Sequence, residues 1–195
     1  MVWLEVETKV KIDKDEVSDL RKKIKKIARF VKKEKRGDDY FALRRFFKKR
    51  FPKKAFRIRS VKDKDTVNFK KRLKKHCSKD LVVKQEFEFN IKNPENFLAL
   101  MRDLGFRQWI KKIKSTESYC HKKDKRIVIE INKVKHLGYF MEIEYLAQPS
   151  EMEKAKAKVK GVLKELEIKP KQIDNLGYTK MLWKRGIKDK KYWVD

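Results

Sequence analysis

The sequence predicts a mainly β protein, with a closed eight-stranded antiparallel β-barrel and helices packed on the outside. Eight segments alternate apolar and charged residues with a period of two, which is typical of strands with two different faces. The segments follow the order strand, helix, strand, strand, strand, and this order is repeated once. Antiparallel strands in this number can close into a barrel, and the helices can cover one of its faces.

The charged strand face is predicted to line the inside of the barrel as a tunnel. Glutamate is depleted in strands generally, yet seven glutamates occupy the charged strand faces of this chain. An apolar face on the outside would also give the predicted helices a surface on which to pack. The alternative is the more common barrel, in which apolar residues fill the inside and charged residues contact solvent.

The first strand is predicted over residues 2–12, and its charged face begins with two glutamates and a lysine. A helix is expected next, because Asp13 is a good N-cap residue and apolar residues then recur at helical spacing. This helix is predicted to end near Ala28.

A second strand is predicted over residues 29–35, and the turn residues Gly37 and Asp38 are expected to end it. Residues 44–54 are rich in Lys and Arg and are predicted to form an exposed basic loop. The remaining strands share the two-faced alternation and are predicted over residues 56–61, 67–73, 81–91, 106–119, 126–134 and 139–146.

The fifth strand repeats the opening of the chain, because it carries a second E-x-E sequence at Glu86 and Glu88 and leads into a helix. Asn93 is the predicted N-cap of that helix, Pro94 its first residue and Gly105 the residue that stops it.

The C-terminal part is predicted to be helical over residues 150–182, as a basic helix to residue 166 and a shorter helix from Pro170. Residues after 183 mix glycine, lysine and aromatic side chains and are not assigned to an element. A chain of 195 residues can bury a substantial core, and a single domain over residues 1–195 is expected.

The composition is strongly basic: Lys and Arg number 56 against 28 Asp and Glu, a formal charge of +28. Such a charge favours polyanionic partners, namely phosphates, nucleic acid or an anionic membrane surface. Apolar residues still make up 40% of the chain, which argues against a disordered basic tail, and the Lys and Glu content is typical of heat-adapted proteins. The chain has no apolar run of membrane length and no signal-peptide core, so a soluble cytoplasmic protein is expected.

The two cysteines, Cys77 and Cys120, fit neither a C-x-x-C pattern nor a disulfide framework, so reduced thiols are expected. Each cysteine has a histidine neighbour, His76 or His121. Adjacent side chains tend to point apart, and the spacing matches none of the usual structural zinc patterns, which disfavours a zinc site.

The charged strand faces carry the residues that are best suited to bind a ligand or to take part in a reaction. Carboxylates suit hard divalent cations, whereas guanidinium and ammonium groups suit phosphate oxygens. In a tunnel the two kinds would partly neutralise each other, and a bound metal with a polyphosphate would reduce the remaining cost of burial. The residues are Glu5, Glu7, Glu86, Glu88, Glu130, Glu142 and Glu144, with Lys9, Arg57, Arg59, Lys70, Lys84, Lys114 and Arg126.

Six motifs in order resemble the CYTH family, the class IV adenylyl cyclases and thiamine triphosphatases within the triphosphate tunnel metalloenzymes. An E-x-E-x-K sequence alone is a weak signal, whereas six motifs at compatible spacing over residues 1–146 are a strong one. The motifs are Glu5-x-Glu7-x-Lys9, Asp39-x-Phe41 around Tyr40, Phe56-Arg57-Ile58-Arg59, Phe69-Lys70, Glu86-x-Glu88 and the Leu-Gly-Tyr-Phe-Met-Glu-Ile-Glu run at 137–144.

The resemblance implies an eight-stranded tunnel, a substrate that bears a triphosphate, and dependence on Mg²⁺ or Mn²⁺. The implied metal ligands are Glu5, Glu7, Glu142 and Glu144, and the implied catalytic residues are Lys9, Glu5 and Glu7. The implied phosphate ligands are Lys9, Arg57, Arg59, Lys70 and Arg126, with Lys84 and Lys114 as further members.

Two positions depart from the family pattern. The seventh strand has Asn132 where the family usually has Asp, and the sixth strand has Lys114-Ser115-Thr116 where the family usually has Lys-x-Arg. Asn offers a neutral oxygen ligand, so a second metal could be weakened or lost, although Glu130 shares the face of Asn132 and could substitute for it.

The leading hypothesis is a triphosphatase acting on ATP or tripolyphosphate, because cyclisation needs a base and a ribose site for which the sequence has no distinct residues. The alternatives are a class IV adenylyl cyclase, which makes cAMP and pyrophosphate, and a non-catalytic protein that binds polyphosphate or RNA 5′ ends. The basic segment 44–54, with interleaved phenylalanines, would suit nucleic acid, or it is a solvated lysine surface. A monomer or a homodimer is expected.

Overall fold

The computed structural model describes residues 3–47, 50–61 and 64–186. The strands among these residues are β1 (Trp3–Ile12), β2 (Ala28–Leu43), β3 (Phe56–Val61), β4 (Lys64–Arg72), β5 (Val82–Ile91), β6 (Phe106–His121), β7 (Ile127–Val134) and β8 (Gly138–Ala147). The helices are α1 (Val17–Ile27), α2 (Arg44–Phe47), α3 (Pro94–Asp103), α4 (Met152–Glu165) and α5 (Tyr178–Lys184). The strands close into an antiparallel barrel in the order β1-β5-β4-β3-β2-β6-β7-β8, which confirms the predicted fold.

Contacts within the chain define two compact units. The first contains residues 1–35, 71–86 and 114–175, and the second contains residues 36–70, 87–113 and 176–195. Four strands, β2, β4, β5 and β6, contribute residues to both units. A single domain over residues 1–195 therefore stays a prediction, and each unit is described by itself.

In the first unit, β1 pairs with β5 and β8, and β7 pairs with β6 and β8. The apolar faces of these strands form one core with α1 and α4. Val6, Val10 and Ile143 are fully buried in this core together with Ile24 of α1 and Val159 of α4. The apolar face is therefore on the outside, under the helices, and the charged face is on the inside, as predicted.

In the second unit, β3 pairs with β2 and β4. The apolar face is aromatic here, because the Phe41 and Phe56 rings stack with centroids 5.2 Å apart and Phe97 of α3 meets the Phe56 ring edge-on at 5.8 Å. Arg57 and Arg59 alternate with these apolar residues along β3 and lie on the charged face.

The start and the end of α3 agree with the sequence prediction. The Asn93 side chain accepts a hydrogen bond from the backbone N–H of Asn96 at 3.0 Å, and Pro94 is the first helical residue. Gly105 follows the helix with a φ of +83°, a left-handed conformation that costs glycine little.

The start of α1 differs from the prediction, which placed the N-cap at Asp13. The helix begins at Val17, with Glu16 as its N-cap residue. The Asp13 N–H donates to the Glu16 carboxylate at 3.3 Å, and the Glu16 N–H donates to the Asp13 carbonyl at 3.1 Å. These two bonds close a turn before the helix. The predicted end near Ala28 is confirmed.

Strand β2 is continuous, so the predicted break at Gly37 and Asp38 is wrong. Asp38 pairs with Arg59 of β3 and Asp39 pairs with Ile58 in a regular register. The turn signal failed because Gly37 does not adopt the left-handed φ of a tight turn, and because Arg59 binds the Asp38 carboxylate at 2.7 Å.

The predicted exposed loop at residues 44–54 is partly regular and partly packed. Its first four residues form α2. The Phe51 ring packs edge-on against Trp109 and Trp183, at centroid distances of 5.4 Å and 6.3 Å. Phe51 is therefore not an exposed stacking platform. The side chains of residues 46–47 and all of residues 48–49 lie outside the described part of the chain.

Helix α4 confirms the predicted basic helix after the barrel. The shorter helix predicted from Pro170 is a single 3₁₀ turn, Pro170–Gln172, and α5 follows it. No helix among the described residues has the length and apolar character needed to cross a membrane.

Ile143→Ala should lower the free energy of unfolding by about 2–5 kcal/mol, because Ile143 is fully buried in the core outside the barrel and its truncation leaves a cavity. Leu146→Ala in the same strand is the control, because Leu146 is 46% exposed and should change stability by less than about 1 kcal/mol. Urea unfolding followed by circular dichroism measures both. A larger loss in Leu146→Ala would contradict the outward-facing core.

Candidate active site

Two groups of carboxylates in the first unit are close enough to hold a cation. One contains Glu5, Glu7 and Glu144, and the other contains Glu130, Glu142 and Glu144. In each group the three ligand oxygens lie within 4.8 Å of one another. Strand register brings them together, because Glu7 pairs with Glu144 and Glu130 pairs with Glu142. Ligand sets made only of oxygen suit hard cations such as Mg²⁺ and Mn²⁺.

The group around Glu7 carries more negative charge than its lysine compensates. The Lys84 ammonium contacts the Glu7 carboxylate and lies 3.4 Å from Glu5. Burial nevertheless raises the pKa of Glu7 to about 7; Lys84 opposes this shift, while Glu5 and Glu142 add to it. A cluster of carboxylates whose negative charge is only partly compensated favours the binding of a cation.

Lys9 follows on the same face of β1 and pairs across the sheet with Glu142. Burial lowers the pKa of Lys9 to about 8, although Glu142 and Glu7 oppose the shift. The backbone N–H of Lys9 donates to the Asn175 side chain at 2.8 Å, which fixes β1 at this point. A lysine with this pKa can exchange a proton near neutral pH, a property of catalytic lysines.

Lys114 is buried against two of the three glutamates of the second group and offsets part of their negative charge. Its Nζ lies 2.9 Å from Glu130 and 3.5 Å from Glu142, and its side chain is only 6% exposed. Burial opposes the charged form of Lys114, but the neighbouring carboxylates outweigh burial and raise its pKa. This group therefore contains its own permanent cation.

Asn132 is fully buried between the second carboxylate group and Thr116. Its amide nitrogen donates to Glu142 at 2.8 Å and lies 3.4 Å from Glu130. Its amide oxygen accepts a hydrogen bond from the Thr116 hydroxyl at 2.7 Å. The Asn132 amide oxygen, which was considered as a metal ligand from the sequence, is therefore directed away from the carboxylates.

The second unit contains a basic cluster built on Asp38, which is fully buried. Its carboxylate accepts hydrogen bonds from Arg59 at 2.7 Å and 3.1 Å and from Arg57 at 3.4 Å, and it lies 2.8 Å from Lys112 Nζ. Burial opposes ionisation of Asp38, but Lys112, Arg59 and Arg57 hold the pKa of this carboxyl well below its usual range. Three cations around one carboxylate leave positive charge in excess, which suits an anion.

Lys112 lies between two tyrosine rings. Its Nζ is 5.6 Å from the centroid of Tyr40 and 5.5 Å from the centroid of Tyr178, distances at which a cation is attracted to an aromatic face. Burial acts to raise the pKa of Tyr40, but the positive charges of Lys112 and Arg57 together outweigh burial and lower this pKa. The two rings thus flank the Lys112 ammonium within the basic cluster.

Most of the predicted site residues lie either around the carboxylate groups of the first unit or in the basic cluster of the second unit. The first unit holds Glu5, Glu7, Glu130, Glu142 and Glu144 with Lys9, Lys84 and Lys114, and the second unit holds Arg57 and Arg59. Lys70 is half-buried in β4. On the same strand, Asn68 donates to Glu88 of the second E-x-E sequence at 3.3 Å.

Arg126 lies neither with the carboxylate groups of the first unit nor in the basic cluster of the second unit. It precedes β7, is exposed, and forms ion pairs with Glu151 at 2.9 Å and with Asp124 at 3.7 Å. Its guanidinium lies 4.8 Å from the centroid of Tyr145, a residue of the core outside the barrel. The alternation that assigned Arg126 to the charged face does not extend to it, because β7 begins only at Ile127.

Two members of the basic cluster, Asp38 and Lys112, are not predicted as site residues from the sequence. Lys112 and Lys114 lie two residues apart in β6 and therefore on the same face of the strand. The alternation that identified Lys114 could have identified Lys112 as well. Asp38 was not identified because Gly37 and Asp38 were predicted to form a turn. In the structure β2 is continuous, and this places Asp38 beside Arg59.

The fold and these residues can be compared with known protein families. The CYTH domain model matches residues 4–178 of this chain. The chain belongs to the CYTH family. This confirms the resemblance carried by the sequence motifs and makes the chain, in general terms, a triphosphate-tunnel protein of an enzyme family whose members depend on metal ions. No curated protein matches the sequence significantly.

Solved structures show the same CYTH fold. The PH1819 protein of Pyrococcus horikoshii OT3 is 26% identical, with a TM-score of 0.72 over 93% of this chain and 99% of that chain. A protein from Pyrococcus furiosus is 27% identical, with a TM-score of 0.70 over 90% of this chain and 98% of that chain. An adenylyl cyclase candidate from Hippeastrum with a dominant triphosphatase activity is 16% identical, with a TM-score of 0.64 over 95% of this chain and 96% of that chain.

Asp38→Asn should lower the free energy of unfolding at neutral pH by about 3–5 kcal/mol, because it leaves buried cations without their counter-charge. The pKa of Asp38 is depressed in the folded state, so its stabilisation is complete above the unfolded-state value of about 3.9 and is lost as the pH falls below it. The stabilities of wild type and variant should therefore converge in acid.

Urea unfolding at a series of pH values measures this convergence. The control is Asp39→Asn, because the adjacent Asp39 is partly exposed and hydrogen-bonds Gln108 at 2.7 Å outside the cluster. Equal losses in the two variants, or a loss in Asp38→Asn that does not shrink in acid, would contradict the role of Asp38.

Glu7→Gln should raise the melting temperature of the metal-free protein at pH 8 by about 3–6 °C, because it removes an unfavourable buried charge. A raised folded-state pKa means that the penalty is absent below the unfolded-state value of about 4.3, develops as the pH rises toward about 7, and then stays complete. Differential scanning fluorimetry across this range measures the difference. Glu153→Gln, at an exposed position, should show no comparable gain, and a destabilised Glu7→Gln would refute the imbalance.

Proposed function

We propose that this CYTH protein is a metal-dependent triphosphatase that hydrolyses the terminal phosphate of ATP or inorganic tripolyphosphate. One observation carries the proposal: the charged strand faces supply both an oxygen-only group of carboxylates and a cationic cluster with an excess of positive charge. A metal–polyphosphate complex needs ligands of both kinds, and phosphoryl transfer depends chiefly on positioning and charge neutralisation.

Glu5, Glu7 and Glu144 are the residues that would hold the metal. Their donor set fits Mg²⁺ or Mn²⁺, because all three ligand atoms are carboxylate oxygens within 4.8 Å of one another and neither Cys nor His belongs to the group. When bound, such an ion would neutralise phosphate charge and make a bound water easier to deprotonate.

Arg57, Arg59 and Lys112 are the residues that would bind phosphate oxygens. Asp38 holds all three, and their side chains are only 13%, 22% and 6% exposed. An electrostatic attraction is stronger in such a site than at the protein surface, because less water screens it. Asp38 also orients the planar Arg59 guanidinium through two bonds, so little order has to be gained when an anion binds.

Lys9 would supply a mobile proton beside the carboxylate group. Burial brings its pKa to about 8, so Nζ can donate a hydrogen bond to a phosphate oxygen in its charged form and can also release a proton at moderately alkaline pH. Lys84, which contacts Glu7, would add a further positive charge.

Hydrolysis is favoured over cyclisation for two reasons. Cyclisation needs a base at the ribose 3′-hydroxyl and a ribose site in addition to phosphate ligands, whereas hydrolysis needs only water as nucleophile. The Hippeastrum neighbour of this fold also has a dominant triphosphatase activity. Adenylyl cyclase is the second candidate function, because the same Hippeastrum neighbour is an adenylyl cyclase candidate.

Incubation with tripolyphosphate or ATP and Mn²⁺ or Mg²⁺ should release phosphate, with cAMP as a minor product at most. Glu5→Gln and Glu144→Gln should each lower kcat/KM by about 100-fold or more, because each removes a metal ligand. Glu153→Gln is the control, since Glu153 is 78% exposed on α4, and it should retain the wild-type rate.

Phosphate release and nucleotide chromatography distinguish the outcomes. cAMP as the main product would replace the triphosphatase with a cyclase. Binding of tripolyphosphate without any turnover would identify a non-catalytic binding protein. Full activity in both glutamate variants would exclude the proposed metal ligands.

A further inference from the structure

The two carboxylate groups of the first unit share Glu144, so they could in principle hold two cations side by side. One group adds Glu5 and Glu7, and the other adds Glu130 and Glu142. The proposed function requires only that a metal binds among these residues. How many ions bind, and on which group, depends on what already occupies the carboxylate oxygens.

The second group is already surrounded by donors from the protein. Glu130 accepts from Lys114 at 2.9 Å and from the Ser118 hydroxyl at 3.3 Å, so both of its oxygens are engaged. Glu142 accepts from the Asn132 amide at 2.8 Å and lies 3.5 Å from Lys114. A divalent ion would have to displace these donors before it could reach the oxygens.

The Asn132 amide cannot turn its oxygen toward a metal without loss. Two carboxylates face its nitrogen, and carboxylates accept hydrogen bonds but do not donate them. The Thr116 hydroxyl donates to its oxygen at 2.7 Å, on the opposite side. A reversed amide would place its oxygen against Glu142, and in a fully buried site that repulsion is costly.

The cation of the first group is held differently from that of the second. Lys84 contacts Glu7 with a side chain that is 23% exposed, whereas the Lys114 side chain is 6% exposed. A lysine with a route to solvent can withdraw its ammonium group when a metal ion arrives. Lys114 has no comparable route, and its removal from two carboxylates would leave a buried charge without a partner.

We infer that the chain binds a single divalent ion, on Glu5, Glu7 and Glu144, and that Lys114 with the Asn132 amide permanently occupies the place of a second ion beside Glu130 and Glu142. The inference rests on the proposed function, since it assumes that the carboxylates bind a metal. It also limits that function, because the positive charge that a second ion would supply comes from Lys114. Glu142 is then a partner of Lys114 and Asn132 and not a metal ligand.

The test is a titration of the metal-free protein with Mn²⁺, in which electron paramagnetic resonance measures the free ion and gives the number of ions bound. Wild type should bind one ion per chain. Glu7→Gln should weaken that site by about tenfold or more. Glu130→Gln is the matched control, because it changes a carboxylate of the other group and should leave both the number and the affinity unchanged.

Two further variants should open the second position. Lys114→Met removes the buried ammonium, and the double variant Lys114→Met/Asn132→Asp also replaces the amide donor by a carboxylate, so each should raise the number of bound ions from one to two. Both variants lack the ammonium but differ in the charge left beside Glu142, so the inference stays testable if one of them fails to fold, which circular dichroism would reveal.

The outcomes separate this inference from the proposed function. Two ions bound to wild type, or one ion that is lost in Glu130→Gln but kept in Glu7→Gln, would overturn the inference and leave a metal-dependent enzyme intact. A count of one ion in both Lys114→Met and Lys114→Met/Asn132→Asp would overturn the role given to Lys114 and Asn132. Wild type that binds no Mn²⁺ would overturn the inference and the proposed function together.

Discussion

Burial of charge inside a closed barrel is the constraint on which the other features of this structure depend. Asp38 is fully buried, and Lys112 and Lys114 are almost so. A buried ion without a partner costs several kcal/mol, so each buried charge requires a counter-charge at hydrogen-bond distance. The apolar strand face must then be covered from outside, and α1 and α4 provide that cover for the first unit. The position of the helices thus follows from the position of the charges.

The compensation differs between the two units, and the difference has functional meaning. In the second unit the three cations hold the pKa of Asp38 far below its usual range, so the cluster is stable as it stands and still has positive charge in excess. In the first unit the shifts of Glu7 and Lys9 run toward the neutral forms, since burial raises the pKa of Glu7 and lowers that of Lys9. Sites that bind ligands commonly keep such unfavourable charges at a cost in stability.

The alternation of residues along the strands was sufficient to predict the barrel, its inward charged face and which glutamates share that face. Glu5, Glu7 and Glu144 come together because each lies on the charged parity of β1 or β8. The errors arose where a local signal competed with pairing in the sheet. Gly37 suggests a turn, but Asp38 beside it is bound by cations from β3 and β6, and those contacts are not visible in a local window of sequence. Arg126 has the correct parity but lies one residue before β7, and the ends of elements are the least predictable part of a fold.

The two departures from the CYTH pattern become one change when they are considered in the structure. Asn132 and Thr116 are cross-strand partners in the β6–β7 register, and their side chains are hydrogen-bonded at 2.7 Å. An Asp and an Arg at these two positions would carry opposite charges, and a neutral amide with a neutral hydroxyl replaces them without altering the net charge of the site. Either replacement alone would leave a buried charge without its partner, whereas the pair leaves none. Considered singly, each departure weakens the case for an active enzyme, but as a matched pair they preserve the electrostatic balance that the remaining carboxylates and lysines need to bind a metal and a phosphate.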